Sequence, residues 1–274
     1  MYYRHNLPYQ YPERSDEHMI TVKHLRDTNF DENYPYLERG LWHKVKRGGL
    51  WVLLNLIVFP ICTLWYGVKI YGRKKLKKYK KELKNGAITI SNHVFMWDYI
   101  CVMKAIRPHL QYHPAWKTNF EGPNGPLIRL VGGIPIPTGN MKAMAKFQQA
   151  IGDVLKEGKW LHFFPEGSMW YFYPDIRPLK KAVFKYAVRY EKPILPITLS
   201  FRPRKGIQKW FGKTPLVDVN VGDLLFADKS LPPLEAIDKL HAEAYHVMQV
   251  LNGIHPGDPT YNTDQKIENY KKTM

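Results

Sequence analysis

The sequence predicts an α/β fold, a mostly parallel sheet flanked by helices, with an N-terminal helical membrane anchor. Three observations predict it. From Asn85 onward, short apolar runs alternate with helical patterns, which is the signature of βαβ units. Ahead of them, Leu50 to Val68 (LWVLLNLIVFPICTLWYGV) runs for 19 residues without a charge. Basic residues crowd both ends of that run. Between positions 41 and 90, twelve Lys or Arg face one acid, Glu82, so this stretch carries +11 of the formal +17.

Residues 1–40 hold five basic and seven acidic residues and no sustained period, so they read as an N-terminal tail lying along the folded domain. Residues 41–84 form the basic and apolar membrane-anchoring helices. As straight helix the uncharged run would be about 28 Å long, close to the hydrocarbon thickness of a bilayer. Pro60 removes a helix hydrogen bond near its middle, so the expectation is two short helices broken there and dipping into one leaflet. A single span and a buried core hairpin are the alternatives. The block from Arg73 to Lys84 beside an apolar run suits anionic lipid headgroups, with the heavier basic side cytoplasmic. It has no interleaved stacking platform, which argues against nucleic acid as a partner. No cleavable signal is expected, because the apolar run starts some fifty residues in and lacks a small-residue cleavage site. The expected location is the cell membrane, cytoplasmic side, as a monotopic or singly anchored protein.

Residues 85–254 form the α/β domain. Its candidate strands are Ala87 to Ser91, Gly133 to Ile136, Trp160 to Phe164, Ile194 to Ser200 and Val217 to Val221. The clearest helix is Met141 to Lys156: Asn140 caps it, Met141, Met144, Phe147, Ile151 and Val154 form one stripe, and Gly158 ends it. A last helix spans Pro232 to Leu251, with Leu234, Ile237, Leu240, Tyr245 and Met248 inward. Residues 255–274 are turn-rich and then charged, a C-terminal tail. Hydrophobic content of 45% supports one sizeable core, and two cysteines, Cys62 and Cys101, give neither a disulfide framework nor metal spacing.

Two constellations carry chemistry. In Ser91-Asn92-His93-Val94-Phe95-Met96-Trp97-Asp98 a strand ends and a helix begins, which places Asp98 in the first helical turn facing back to the imidazole. The carboxylate then accepts from one ring nitrogen, and the other is free to take a proton from an attacking hydroxyl. Alone the signal is weak: with 11 His and 12 Asp in 274 residues, such a pair arises about half a time by chance. Phe164-Pro165-Glu166-Gly167 is more specific, with a chance on the order of 0.003 from this chain's own frequencies. Pro165 ends the ladder, Gly167 permits an unusual turn, and Glu166 is left at the carboxyl edge of a sheet, where open α/β folds place ligands. Other histidines point elsewhere. His109 and His113 lie between Pro108 and Pro114, which excludes a shared helical zinc face, and His162 sits inside a strand as a core residue. Gly167-Ser168 is not a nucleophile elbow, which disfavours a serine hydrolase.

At these two stretches the chain resembles the lysophospholipid acyltransferase family, whose bacterial members include 1-acyl-glycerol-3-phosphate acyltransferases. The family's Asn-His-x4-Asp block matches Asn92, His93 and Asp98, its Phe-Pro-Glu-Gly block matches residues 164–167, and the 73-residue separation of His93 from Glu166 is typical. Softer matches are Lys117, in a Trp-Lys pair, and the late strand Pro193-Ile194-Leu195-Pro196-Ile197. The likeness covers about residues 85–200.

The resemblance implies transfer of a fatty acyl group from an acyl thioester to a lysophospholipid hydroxyl, making phosphatidate from lysophosphatidate in phospholipid biosynthesis. His93 and Asp98 would be catalytic. Asn92, Lys117, Pro165, Glu166, Gly167, Ser168 and Arg177 would bind substrate. It implies no metal or other cofactor, with acyl-CoA or acyl-acyl carrier protein as co-substrate. The implied partners are a membrane lipid acceptor, the acyl donor and an anionic membrane surface. Two family arginines are replaced, by Met169 and Pro137, so the acceptor phosphate would fall to Lys117, Arg129, Arg177, Lys180 or Lys181. A different lysolipid or a non-phosphorylated acceptor therefore stays open, as does a nonenzymatic membrane or nucleic-acid binder.

Overall fold

The computed structural model describes residues 3–15 and 17–262. Among them seven strands form one sheet, ordered β1-β7-β6-β2-β5-β3-β4. They are β1 Lys69–Tyr71, β2 Ile88–Ser91, β3 Gln111–Trp116, β4 Gly133–Ile136, β5 Trp160–Phe163, β6 Ile194–Arg202 and β7 Leu216–Val221. Every neighbouring pair is parallel except β6 with β7. The carboxyl ends of β2 to β6 therefore share one edge, and the loops that leave them gather there. The central strands are buried on both faces: Ile194, Leu195 and Ile197 of β6 are apolar throughout, whereas β2 alternates Ile88 and Ile90 with the buried, hydrogen-bonded Thr89 and Ser91.

The expected mostly parallel sheet with flanking helices is present. The helix Met141–Lys156 begins where Asn140 accepts a hydrogen bond from the Ala143 N–H at 3.0 Å. Ala143, Phe147, Ile151 and Val154 face the core, whereas Met141, two residues before Ala143, lies on the far side of the first turn and is exposed. Leu234 is likewise exposed, two residues before the buried Ala236 of the last helix, Pro233–Leu251. Residues 263–274, most of the expected C-terminal tail, lie outside the described residues.

Two strands escape the sequence patterns. β1 sits among lysines and pairs with β7, so the sheet begins inside the segment grouped with the anchor. β3 contains Pro114, which argues against a ladder. It is tolerated because β5 pairs only with Gln111 and Tyr112, and the half holding Pro114 pairs only with β4.

The apolar segment is one helix, Leu41–Trp65. Two α-helical parts, Leu41–Leu53 and Phe59–Trp65, are joined by a π-helical turn over Leu54–Val58. The break expected near Pro60 is thus a widened turn and not a reversal: Pro60 lies in the first turn of the second part, where its missing N–H costs little. Arg47, Leu54, Phe59 and Cys62 are buried against the domain. Trp42, Val45, Val52, Leu53, Leu56, Ile57, Ile61, Leu64 and Trp65 are exposed, so the outer face of the helix is the greasy one. This is the one helix among the described residues long and apolar enough to cross a membrane.

Candidate active site

β2 and β5 are adjacent and parallel, with Ile90 opposite Phe163, so the segments leaving them emerge side by side. One carries Asn92 to Asp98. The other carries Phe164 to Arg177.

Asp98 opens the helix Asp98–Ile106. At that positive helix end its carboxylate accepts from the Tyr99 N–H at 2.6 Å and the Val94 N–H at 3.2 Å. The His93 Nδ1–H donates to Asp98 Oδ2 at 2.6 Å. That bond fixes the tautomer, and Nε2 makes no hydrogen bond to any described residue, so its lone pair is presented outward. The His93 side chain is 24% exposed and that of Asp98 3%. Phe164 stacks on the imidazole with centroids 3.9 Å apart and 13° between planes. The same ring meets His162 edge-on at 4.5 Å.

The second segment holds the first from beneath. Glu166 Oε2 accepts from the His93 backbone N–H at 3.0 Å, and the Trp170 N–H donates to the His93 carbonyl at 3.0 Å. Both backbone groups of His93 are thereby tied to the loop after β5. Glu166 in turn is paired with Arg177, Nη2 to Oε2 at 2.7 Å, and both side chains are 0% exposed. The Arg177 N–H donates to Glu166 Oε1 at 2.9 Å, and Nη1 donates to Ser168 Oγ at 2.8 Å. The Trp170 ring lies 4.4 Å from the guanidinium carbon. A buried charge pair persists only when its remaining donors and acceptors are satisfied, and here they are largely met by Ser168, Ser15 and the backbone.

These placements revise several roles. Asn92 is fully buried and spent on β6, donating Nδ2 to the Leu199 carbonyl at 2.9 Å and accepting from the Leu199 N–H at 2.8 Å. It fastens the end of β2 and does not face a substrate. Glu166 and Arg177 have no surface to offer an acceptor; they position His93. Ser168 is buried with its hydroxyl on Arg177 and on the Ser15 carbonyl at 3.3 Å. Pro165 is buried, and its carbonyl accepts from the Lys180 N–H at 2.8 Å. Gly167 has φ +85°, a left-handed conformation that favours glycine, and a Cβ there would meet Lys180 Nζ at 2.7 Å. Of the other cations, Arg129 bonds to the Pro35 and Tyr36 carbonyls of the tail and Lys181 pairs with Asp238 at 2.7 Å. Lys117 opens the short helix Lys117–Glu121 at the carboxyl end of β3, half-buried on the same edge as His93. Lys180 is exposed beside Gly167.

Sequence reasoning laid the tail along the domain but did not place it at this edge. Residues 3–15 and 17–40 contain no helix or strand, yet they run as a strap past this edge. Arg4 pairs with Asp175 at 3.2 Å, Tyr11 stacks on Trp170 at 5.6 Å, the Trp170 Nε1–H donates to the Glu17 carbonyl at 3.0 Å, and His18 stacks on Trp116 at 4.3 Å. The density of tyrosines in the first forty residues was the only signal that this segment packs. Beneath the site, burial pushes His113 down to about 3, helped by Arg47 and His93, and holds His162 well below the ordinary histidine value. His162 takes up Thr89 Oγ1 at 2.8 Å, so it is a satisfied core histidine.

Residues 67–200 match the family model described as Acyltransferase. The fold is similar to that of the 1-acyl-sn-glycerophosphate (LPA) acyltransferase PlsC from Thermotoga maritima, with a TM-score of 0.54 and 17% identity over 81% of this chain and 86% of that one. The match marks residues 67–200 as an acyltransferase domain, and the chain shares this fold.

Proposed function

We propose that this acyltransferase moves a fatty acyl group from a thioester to the free hydroxyl of a lysophospholipid, with lysophosphatidate as acceptor and phosphatidate as product. The observation that carries the reading is the His93–Asp98 dyad, whose proton is held on Nδ1 at 2.6 Å from Asp98 and whose Nε2 is open. In the step, Nε2 takes the hydroxyl proton while the hydroxyl oxygen bonds to the thioester carbon. The C–S bond then breaks, and the proton passes from His93 to the departing thiolate. General-base assistance of this kind contributes roughly 10²- to 10⁴-fold. Acyl-CoA and acyl-acyl carrier protein both supply such a thioester.

Lys117 and Lys180 are the cations we assign to the acceptor phosphate, because Arg129, Arg177 and Lys181 are engaged within the protein. The greasy outer face of Leu41–Trp65 supports work at a bilayer, and the basic block Arg73 to Lys84 favours its cytoplasmic side. Burial of Arg47, Leu54, Phe59 and Cys62 along its inner face supports a helix lying in the leaflet, since a span would drag the sheet into hydrocarbon. A neutral acceptor is the second reading, favoured by Met169 where the family carries arginine.

The test is an assay of purified full-length protein with both donors across lysophosphatidate and neutral lysolipids. Phosphatidate is the expected product, and His93→Ala should slow its formation by roughly 10²- to 10⁴-fold while leaving fold and membrane binding intact. Full activity of that variant would end the proposal.

A further inference from the structure

The hairpin between β6 and β7 carries a surface that acyl transfer does not use. Arg202 to Lys213 (RPRKGIQKWFGK) holds five cations and no acid. Within it, the 3₁₀ turn Gly206–Phe211 places Ile207 and Trp210 three residues apart, so their side chains lie on one side. Ile207 is 67% exposed, Trp210 86%, and Phe211 is also exposed. Lys205, Lys209 and Lys213 are exposed around them and make no ion pair with a described residue.

This is not a slack loop. Arg204 is buried at its base, where Nε donates to the Thr214 carbonyl at 2.6 Å, Nη1 to the Gln208 carbonyl at 3.1 Å and Nη2 to the Trp65 carbonyl at 3.0 Å. One guanidinium thus closes the loop on itself and pins it to the end of the apolar helix. Phe211 meets Trp65 edge-on at 5.9 Å. The apolar surface is therefore continuous from the outer face of Leu41–Trp65 onto Phe211 and Trp210. Because β6 ends at the same sheet edge as β2, the hairpin stands at the edge that carries His93.

We infer that residues 204–213 are a second membrane-contact element, which seats Ile207, Trp210 and Phe211 at the interface of an anionic bilayer with Lys205, Lys209 and Lys213 among its headgroups. The inference rests on the reading that the protein works at a bilayer, and adds where the domain touches it. Exposed aromatic and aliphatic side chains ringed by lysines match an interface that is apolar below and negative above. Two adjoining contacts, the helix and the hairpin, fix a plane instead of an axis. They would hold the catalytic edge at the lipid surface, where an acceptor need not leave the leaflet.

The experiment floats detergent-free, full-length protein with vesicles of phosphatidylcholine alone or mixed with phosphatidylglycerol. Two variants are compared with wild type: Ile207→Ser/Trp210→Ser/Phe211→Ser and Lys205→Gln/Lys209→Gln/Lys213→Gln. The apolar variant should bind both vesicles about tenfold more weakly or worse. The lysine variant should lose most of the preference for phosphatidylglycerol. Both should keep wild-type turnover on detergent-dispersed substrate, which shows that they fold. Wild-type vesicle binding by both variants overturns the hairpin's role alone. Failure of the wild-type protein to bind either vesicle overturns the bilayer reading with it. As an independent measurement, Ile207→Cys labelled with an environment-sensitive dye should shift to the blue on anionic vesicles, since Cys62 and Cys101 are buried. No shift would also overturn the inference.

Discussion

The loops after β2 and β5 leave the same sheet edge and touch each other, but they divide the work unequally. The first presents a partly exposed imidazole backed by Asp98 at 2.6 Å. The second presents almost nothing: Glu166 and Arg177 are sealed and hold the peptide of His93 from below. In sequence the ranking is opposite, for the Phe-Pro-Glu-Gly block is far more specific than His-x4-Asp. The block is the rarer pattern because it specifies four positions and the dyad only two, so rarity by chance says nothing of how close a residue stands to the substrate.

The largest expected effect separates the two loops directly. His93→Ala should lower the rate by roughly 10²- to 10⁴-fold with an unchanged melting temperature, as read by initial rates beside thermal unfolding. A fall in stability of similar weight would erase the contrast.

Glu166→Ala should do the reverse first and destabilise the fold. It leaves Arg177 buried without its carboxylate, a loss of about 3–5 kcal/mol in denaturant unfolding. Glu166→Gln with Arg177→Met should recover part of this, and the coupling between the two sites measures the pair. Additive effects would show that the pair is not the support described.

The third expectation concerns acid. His113 is held down to about 3 by burial, and His162 well below its ordinary value, so the unfolded chain binds protons that the native state refuses. Stability is then full above about pH 6.5 and falls as pH drops toward 3, by about 1.4 kcal/mol per pH unit for each histidine. Unfolding followed between pH 7 and 5 checks this, and His113→Gln should shallow the slope. A slope untouched by that change would place the proton uptake elsewhere.

The smallest effect sharpens the role of Ser168. Loss of one hydrogen bond to Arg177 in Ser168→Ala should cost about 1 kcal/mol and leave KM for the acceptor unchanged. A raised KM with unchanged stability would return Ser168 to the substrate.

Much of the architecture was legible beforehand because local pattern and burial agree. Met141–Lys156 has an asparagine cap and an apolar stripe, and β6 opens on a buried run with Ile194, Leu195 and Ile197. β3 was not legible, because whether Pro114 is harmless depends on which strand lies on each side of it. A tail along the domain was legible but its place at the catalytic edge was not, since its bonds run from Ser15 to Arg177 and from Arg4 to Asp175, more than 160 residues apart.

By itself the sequence determined the parallel sheet, the apolar segment, the pairing of His93 with Asp98 and the chemistry the two suit. These follow from side-chain period, from charge and from residues five apart, all of which are local. Only the tertiary structure decided that Asn92, Glu166 and Arg177 serve the scaffold, that the apolar segment is one helix greasy on its outer face, and that residues 206–211 join that face. Whether a polar side chain is available to a ligand depends on which distant donors and acceptors have already claimed it, and that is settled only when the chain closes on itself.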